Sequence, residues 1–352
     1  MTDLQSLEER IRAAAAARRP LCIRAGGSKD FYGGALAGEL LEVGALSGIT
    51  LCEPTELVIS AWAGTPVAEL ERVLAAHGQM LAFEPPQFEG RATLGGAVAS
   101  GLSGPRRVYG GAVRDFVLGV EVIDGRGDRL RFGGKVIKNV AGFDVSRLMA
   151  GSLGTLGVLT EVTLKTVPRP RAECTLRFAM DQPRALDSMR LWATRPLPLS
   201  ATEWENGVLY VRLSGAEAAV RAARQDLGGE IVEGCKNHWD SVREQQRPFF
   251  TAARELWRLS LPADSPPLPV ADPTLIEWGG SLRWLSGAQD GGALRALAAR
   301  LGGHASLYRA PAKSPSGPFQ PLSSAMLSVH KRLKAAFDPH GIFNRGRLYP
   351  DF

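Results

Sequence analysis

The sequence predicts an α+β protein in which strands and helices form more than one layer around a buried core. In the first half, strand patterns run into glycine-rich turns, and from Cys174 onward strand patterns alternate with helical ones. The C-terminal part contains one amphipathic helix followed by a turn-rich tail. A length of 352 residues with 45% hydrophobic residues allows two or three domains with a sizeable core.

Composition excludes several classes of protein. The net charge is +6, but the basic residues are scattered and form no block with interleaved aromatic residues, so nucleic-acid binding is not predicted. The four cysteines lie far apart without a C-x-x-C pair, which argues against a cysteine-built metal cluster in this chain and fits a reducing compartment. The N-terminal residues are too charged for a secretory signal, and no apolar stretch reaches the length of a membrane span.

The sequence pattern of the first half predicts strand-turn-helix units. Residues Leu4–Arg18 form a helical pattern, and "LCIRAGG" predicts a short strand that enters a turn. Leu57–Gly64 predicts a strand, followed by a helix with Thr65 as the N-cap and Pro66 as the first helical residue. The alternating segment "GVLTEVTLKTVP" predicts a half-buried strand. Pro168–Glu173 then marks a domain boundary.

The second half predicts a separate α+β unit with a sheet on one side. Strand patterns are "CTLRFAM", "VLYVRLSG", "LWRLSL", "LIEWGGSLRWL" and "HASLYRA", and helical patterns are "PRALDSMRLWAT", "AEAAVRAARQDLGG" and "GALRALAARLGG". We therefore expect three segments, namely residues 1–170, 171–318 and 319–352.

Glycine is concentrated at Arg24–Gly34, Thr93–Gly119 and Gly151–Gly157. None of these clusters matches G-x-G-x-x-G after a strand or the P-loop pattern. Successive N–H groups in glycine turns nevertheless form concave anion sites. A single cluster fits an ordinary turn better than a site, whereas three clusters between strands favour a ligand with phosphates and a flat ring.

The order of these pieces resembles the FAD-binding domain of the vanillyl-alcohol-oxidase (PCMH) type. The pieces are "IRAGGSK", "EPTELVISAWAGTPVAELERVLAAHGQMLAFEPP", "TLGGAVASGLSGPRRVYGGAVRDFVLG", "GSLGTLGVLTEVTLK" and the closing "FDPHGIFNRGR". The phrases "VREQQRPFF", "IEWGGSLRWL" and "GGHASLYRA" resemble more narrowly the FAD-binding subunits of bacterial glycolate oxidase. The resemblance implies a two-part PCMH-type FAD-binding domain (1–170), an α+β cap domain (171–318) and a C-terminal segment (319–352) that returns to the FAD domain.

The same resemblance implies the cofactor contacts. The first turn would wrap the FAD pyrophosphate, and the second stretch would lie against pyrophosphate and ring. A third group, Gly157, Val158 and Thr160, would contact the adenine side of FAD. One further candidate, Asn344, comes from the closing motif. In chain order these candidates are Ala25, Gly26, Gly27, Ser28, Lys29, Thr93, Gly95, Gly96, Ala99, Ser100, Gly101, Ser103, Gly104, Asp115, Gly157, Val158, Thr160 and Asn344.

Three departures from the family pattern matter. Many relatives attach FAD through a histidine in the first turn, and no histidine lies in Arg24–Gly34, so we expect non-covalent FAD. Leu153 stands where the family often has an acidic residue, and Arg345 stands where it usually has proline.

Catalytic residues are harder to assign from the sequence. None of the five histidines forms a pair with metal-ligand spacing, so no metal site is expected. His304 is a candidate for a role near the flavin, and Arg283 is a candidate carboxylate clamp. For both residues, the alternative is a purely structural or surface position. Arg106 and Arg107 would counter phosphate charge or face solvent.

The resemblance implies a subunit of a complex that oxidises glycolate, a small 2-hydroxy acid, to glyoxylate. Its partners would be a second FAD-containing subunit and an iron–sulfur subunit, in the cytoplasm or peripheral to the inner membrane through those partners. Two alternatives stay open, namely a stand-alone FAD-dependent 2-hydroxy acid dehydrogenase and a non-catalytic scaffold that keeps the fold.

Overall fold

The structure is a computed structural model that describes residues 4–135, 143–287, 290–314 and 317–350. The elements of the first half of the described chain are α1 (Leu4–Ala16), β1 (Leu21–Arg24), β2 (Glu39–Glu42), β3 (Ile49–Glu53), β4 (Val58–Trp62), α2 (Val67–Ala76), β5 (Gln79–Met80), α3 (Leu94–Ser100), α4 (Arg107–Gly110), β6 (Val117–Ile123), β7 (Arg129–Gly133), α5 (Phe143–Leu148), β8 (Val158–Lys165) and β9 (Val167–Pro168).

The second half contains β10 (Ala172–Ala179), α6 (Gln182–Ala193), β11 (Leu199–Glu205), β12 (Val208–Gly215), α7 (Glu217–Leu227), β13 (Glu230–Ile231), α8 (Cys235–Arg243), α9 (Pro248–Thr251), β14 (Leu256–Ser260), β15 (Thr274–Glu277), β16 (Leu282–Ser286), α10 (Gly291–Arg300), β17 (His304–Arg309) and α11 (Ser324–Phe337). The predicted segment "LIEWGGSLRWL" is two strands, because a 3₁₀ turn with positive φ at Trp278 and Gly279 separates β15 from β16.

Within the described ranges, the first half holds a five-stranded antiparallel sheet in the order β3-β4-β8-β6-β7 and a parallel pair β1-β2. The prediction that β8 is half-buried was wrong, because Val158–Leu164 are all buried. The strand is central, and layers on both faces cover it. Its polar side chains are satisfied inside the protein, since Thr163 shares a hydrogen bond with Ser60 at 2.8 Å and Thr160 donates to Glu121.

The start of α2 also differs from the prediction. Pro66 is the N-cap and the helix begins at Val67. The Thr65 hydroxyl instead accepts from the Gly48 N–H at 2.9 Å and donates to the Gly48 carbonyl at 3.2 Å. The Thr65 side chain therefore hydrogen-bonds to the preceding loop and does not cap the helix. Thr65 itself stays extended because a proline follows it.

The second half holds an antiparallel sheet whose order, among the described strands, is β13-β10-β12-β11-β15-β16-β14-β17. Helices α6 and α7 pack against one end of this sheet and α10 packs beside β17. An aromatic cluster joins the sheet to the first half, since Trp278, Trp284 and Tyr308 pack with Tyr32 and Leu153. The two halves meet at this cluster, and the candidate site lies beside it.

Two carboxylates from different halves fasten this junction. Glu84 of the first half accepts from Arg212 of β12 at 2.8 Å and from its neighbour Arg106 at 3.2 Å. In the other direction, Glu244 accepts from the backbone N–H groups of Gln87 and Phe88. The second half is therefore held against the first half by buried polar contacts as well as by apolar packing.

The C-terminal segment returns to the first half. The Lys334 ammonium of α11 is buried and donates to the Thr155 carbonyl at 2.7 Å, to the Phe343 carbonyl and to the Asp338 carboxylate. Farther along, Leu21 of β1 donates to the Ile342 carbonyl at 2.7 Å. The tail is thereby placed beside the first glycine turn. The division into three independent units stays a prediction.

Candidate functional site

A channel of about 100 Å³ runs between the first glycine turn, α3 and the C-terminal tail. It brings together many of the residues that the sequence analysis proposed. Those that line it are Ala25, Gly26, Gly27, Ser28, Lys29, Thr93, Gly96, Ala99, Ser100 and Asn344.

The first turn presents backbone donors to this channel. Among the described residues, the N–H groups of Gly26, Gly27, Ser28 and Lys29 have no protein acceptor. The carbonyls of the turn, in contrast, are held by the Arg347 guanidinium, which donates to the Lys29 carbonyl at 3.0 Å and also binds the Gly34 carbonyl. Successive free N–H groups in such a turn form a site for an anion such as a pyrophosphate.

At two glycines the walls of the site carry no side chain. A Cβ atom on Gly96 would meet only the Thr93 Oγ1, at 3.1 Å, and one on Gly151 would meet nothing within 4 Å. Both residues line cavities. A ligand can therefore approach the backbone closely at these positions, which fits a flat and extended cofactor.

Lys29 is one of three basic residues in the described part of the chain that line the channel, together with Arg24 and Arg347. Its Nζ lies 3.1 Å from the Ser28 hydroxyl and 5.3 Å from the centroid of the Phe88 ring. Burial lowers the pKa of Lys29 to about 8, and the more distant Glu244 only partly offsets this effect. A bound diphosphate would supply the missing negative charge and raise the pKa again.

We therefore expect the affinity for FAD to fall as the pH rises through about 8, because the amine loses its charge there. A hydrogen bond between charged groups is worth about 1.5–3 kcal/mol, so the loss between pH 7 and pH 9.5 should be about tenfold or more. FAD titrations that follow flavin fluorescence measure this change. The Lys29→Met variant should bind more weakly at pH 7 and show little pH dependence, and riboflavin, which lacks phosphate, should show none. An unchanged pH profile in Lys29→Met would contradict this role.

A second cavity of about 500 Å³ opens where the channel reaches Ser100 and Leu153, which line both. Gly101 and Gly151 form its floor on the side of the first half. Residues of the second half and of the C-terminal segment, including His304, close the other side. A narrow anion-binding channel thus leads into a wider chamber at the junction of the two halves.

The chamber is positively charged. Arg107 of α4 and Arg258 of β14 line it, and their guanidinium carbons lie 4.5 Å and 5.1 Å from the centroid of the Trp278 ring. His304, at the start of β17, also lines it. Burial and then the charges of Arg258 and Arg107 lower the pKa of His304 below its ordinary value of 6.5. The imidazole is therefore neutral at pH 7 and able to accept a proton.

The remaining proposed cofactor residues lie outside the channel and the chamber, except for Gly101. Gly95 is needed for packing, since its Cβ would lie 2.7 Å from that of Ala63. Asp115 accepts from the Ala112 N–H and from Arg147. Ser103 and Gly104 line a small interior cavity beside Trp278. Three others belong to the core around β8, namely Gly157, Val158 and Thr160.

Arg283 lies on β16 and is fully buried. Its guanidinium donates to the carbonyls of Ser265 and Pro266 at 2.6 Å each and to that of Gly280 at 3.1 Å. These bonds fasten the 265–273 loop to the sheet, so Arg283 is not available as a carboxylate clamp. Arg106 is likewise engaged with Glu84 and Glu173.

Sequence reasoning did not propose Leu153, Arg258 or Arg347 for the site. Leu153 lies at the junction of channel and chamber with φ of 52°, and its carbonyl accepts from the Asn344 side chain at 2.7 Å. The glycines on either side of Leu153 were the available signal. Nothing in the local sequence distinguishes Arg258 or Arg347 from surface arginines. Among the described residues, no group of three or more His, Cys, Asp or Glu could hold a metal ion.

An anion-binding glycine turn that opens into a chamber between the two halves of the chain is typical of a protein that binds a nucleotide-containing cofactor. Residues 1–133 match the family described as FAD binding domain, which confirms the predicted cofactor, FAD. The chain is 46% identical over 347 residues to the glycolate oxidase subunit GlcE of Escherichia coli (strain K12), covering 99% of this chain and 97% of that protein. The chain belongs to this family of FAD-binding glycolate oxidase subunits.

More distant relatives match mainly the first half. Identity is 40% over 111 residues to the glycolate oxidase subunit GlcD of Bacillus subtilis (strain 168), which covers 31% of this chain and 24% of that protein. It is 32% over 154 residues to a D-lactate dehydrogenase of Anaerostipes hadrus, covering 43% and 32%. A solved structure of alkyldihydroxyacetonephosphate synthase superposes with a TM-score of 0.65 at 16% identity, over 97% of this chain and 75% of that one. This likeness confirms the predicted fold class.

Proposed function

We propose that this chain is the FAD-carrying subunit of a glycolate oxidase complex, which oxidises glycolate to glyoxylate and passes the electrons to partner subunits. The main support is the continuity of the two cavities through Ser100 and Leu153. The channel suits the phosphates of a dinucleotide, and the chamber suits a ring system next to a small anionic substrate.

Different residues of the chain would bind the two parts of the cofactor. The free N–H groups of Gly26–Lys29 and the Lys29 ammonium would hold the pyrophosphate. Gly151 leaves room for the flat ring in the chamber, because a Cβ atom there would meet nothing within 4 Å. When bound, FAD supplies a two-electron acceptor for the hydride that leaves carbon 2 of a 2-hydroxy acid. Binding is proposed to be non-covalent, because the first turn holds no histidine.

Partner subunits complete the proposed pathway for electrons. The described residues contain no cluster of metal-ligating side chains, and the described cysteines are unpaired. Electrons would therefore leave through other chains, which we propose to be a second FAD-containing subunit and an iron–sulfur subunit. None of the helices in the described ranges is long and apolar enough to cross a membrane. The proposed location is the cytoplasm, with contact to the inner membrane through the partners.

An anaerobic absorbance spectrum tests this function. We expect the purified full chain to show flavin bands, acid precipitation to release all of the FAD, and the assembled complex to bleach when glycolate is added. A colourless chain that takes up no added FAD would contradict the proposal and favour a scaffold. A tagged chain that is purified from cell extract without any bound subunit and still shows full glycolate oxidation with a natural acceptor would favour a stand-alone dehydrogenase instead.

A further inference from the structure

The chamber contains two guanidinium groups that have no carboxylate partner among the described residues, one from each half of the chain. Both Arg107 and Arg258 lie over the ring of Trp278, at 4.5 Å and 5.1 Å. The neighbouring Arg106 shows the contrast, because it forms ion pairs with Glu84 and Glu173. The chain thus neutralises one arginine of the Arg106–Arg107 pair and leaves the other facing the chamber.

The surroundings do not neutralise this charge. Burial, and after it the charges of Arg258 and Arg114, lower the pKa of Arg107, and Asp115 offsets this effect only in part. Glu277, the carboxyl group whose pKa responds to Arg258, is fully buried and accepts from the Trp284 indole N–H at 2.8 Å. Burial raises the pKa of Glu277 to about 8, so this carboxyl is mostly neutral at pH 7. The chamber therefore keeps an unbalanced positive charge, and a pair of guanidinium groups is well suited to a small carboxylate.

His304 lies diagonally across from Arg258 in the sheet of the second half. β14 and β17 are antiparallel neighbours in which Arg258 pairs with Ser306 and Ser260 pairs with His304. His304, Ser306 and Arg258 all line the chamber. In a 2-hydroxy acid the hydroxyl group is on the carbon next to the carboxylate, so a carboxylate held by the arginines places the hydroxyl close to this strand edge.

We propose that Arg107 and Arg258 bind the carboxylate of a 2-hydroxy acid within this chain, and that His304 accepts the proton of its hydroxyl group. This inference rests on the proposed function and adds the substrate site to it. In the oxidation, the carbon 2–hydrogen bond breaks and the hydride leaves to the bound FAD. The O–H bond breaks, its proton goes to an imidazole nitrogen of His304, and the carbon–oxygen double bond forms.

Calorimetric titration of the FAD-loaded full chain with oxalate tests the carboxylate site without turnover, because oxalate has no hydrogen to lose. We expect saturable binding that is weakened about 10- to 100-fold in Arg258→Met and in Arg107→Met, the range for one charged hydrogen-bonding group. Arg177→Met is the matched control, because Arg177 forms an exposed ion pair with Glu230 on the edge of the cap sheet. Its affinity for oxalate should equal that of the unchanged chain.

The FAD content of each sample separates the possible failures. A chain without FAD contradicts the proposed function itself. A chain that holds FAD but binds no millimolar oxalate, or variants that hold FAD and bind oxalate as tightly as the unchanged chain, overturn the carboxylate site alone. Arg107→Met provides the answer if Arg258→Met fails to fold, because the two arginines come from different elements.

The role of His304 is tested with His304→Asn in the assembled complex. General-base catalysis contributes about 10²- to 10⁴-fold, so we expect bleaching by glycolate to slow by at least 100-fold. Oxalate affinity should stay within about threefold of the unchanged chain, since the carboxylate clamp is intact. Bleaching at the normal rate in this variant would overturn the proposed proton acceptor.

Discussion

Gly96→Leu is expected to weaken FAD binding strongly without unfolding the chain. Gly96 lies in the first turn of α3 and lines the channel, where a Cβ atom would meet only the Thr93 Oγ1, at 3.1 Å. A leucine side chain would therefore extend into the space that the cofactor needs. We expect at least a 100-fold rise in the dissociation constant, which is about 2.7 kcal/mol. Flavin absorbance after purification and titration with added FAD measure this effect.

Gly292→Leu is the matched control for this change. Gly292 also lies in the first turn of a helix, α10, and its Cβ would lie 3.2 Å from the Oδ1 of the N-cap Asp290. It is exposed and lies away from the channel and the chamber. This variant should keep its FAD, and both variants should melt within a few degrees of each other without the cofactor. A yellow Gly96→Leu protein with normal FAD affinity would show that FAD does not occupy the channel.

Glu84→Gln is expected to cost about 3–4 kcal/mol of the free energy of unfolding, because it leaves the largely buried Arg212 guanidinium without its counter-charge and leaves Arg106 with Glu173 alone. The side chains of Glu84, Arg106 and Arg212 are 14%, 12% and 7% exposed. Burial raises the pKa of Glu84, but Arg212 and Arg106 lower it further, to below the ordinary 4.5. Its stabilising effect is thus present above the carboxyl pKa of the unfolded chain and disappears as the pH falls through the lower folded value.

Urea unfolding of Glu84→Gln and Glu173→Gln measures this difference. Glu173 accepts from the same Arg106 at 2.7 Å, but its side chain is 40% exposed, so its loss should cost less than about 1 kcal/mol. The penalty of Glu84→Gln should be largest above about pH 5 and should shrink in more acidic solution. Equal costs for the two variants would mean that the contact between the halves does not depend on the buried charge.

The sequence predicted local elements better than their surroundings. The period-2 pattern identified β8, but whether a strand is covered on one face or two depends on layers formed by distant residues. β11 was not predicted, because its buried side chains include the polar Thr202 and Glu203. Thr202 accepts from the Gly279 N–H, and Glu203 is bound by His238 and Arg247. Such polar burial interrupts the apolar pattern on which strand prediction relies.

The same difference between local features and distant packing decides which residues of the candidate site could be predicted. The glycine turns were recognisable because free N–H groups and positive φ angles are local properties. Arg258 and Arg283 look alike in the sequence, since each lies within a short strand flanked by apolar residues. Only the packing shows that Arg258 lines the chamber and that three carbonyls surround Arg283.

The first glycine turn is shaped by residues from the far end of the chain. Arg347 holds the carbonyls of this turn, and the amide of Asn344 bridges the Ile23 N–H and the Leu153 carbonyl. More than 300 residues separate the turn from these partners. During translation the turn leaves the ribosome long before Asn344 and Arg347 are made, so nascent chains cannot yet hold the cofactor in its final pocket. We therefore expect FAD to enter this pocket only after the C-terminal segment has been synthesised and has folded back onto the first turn.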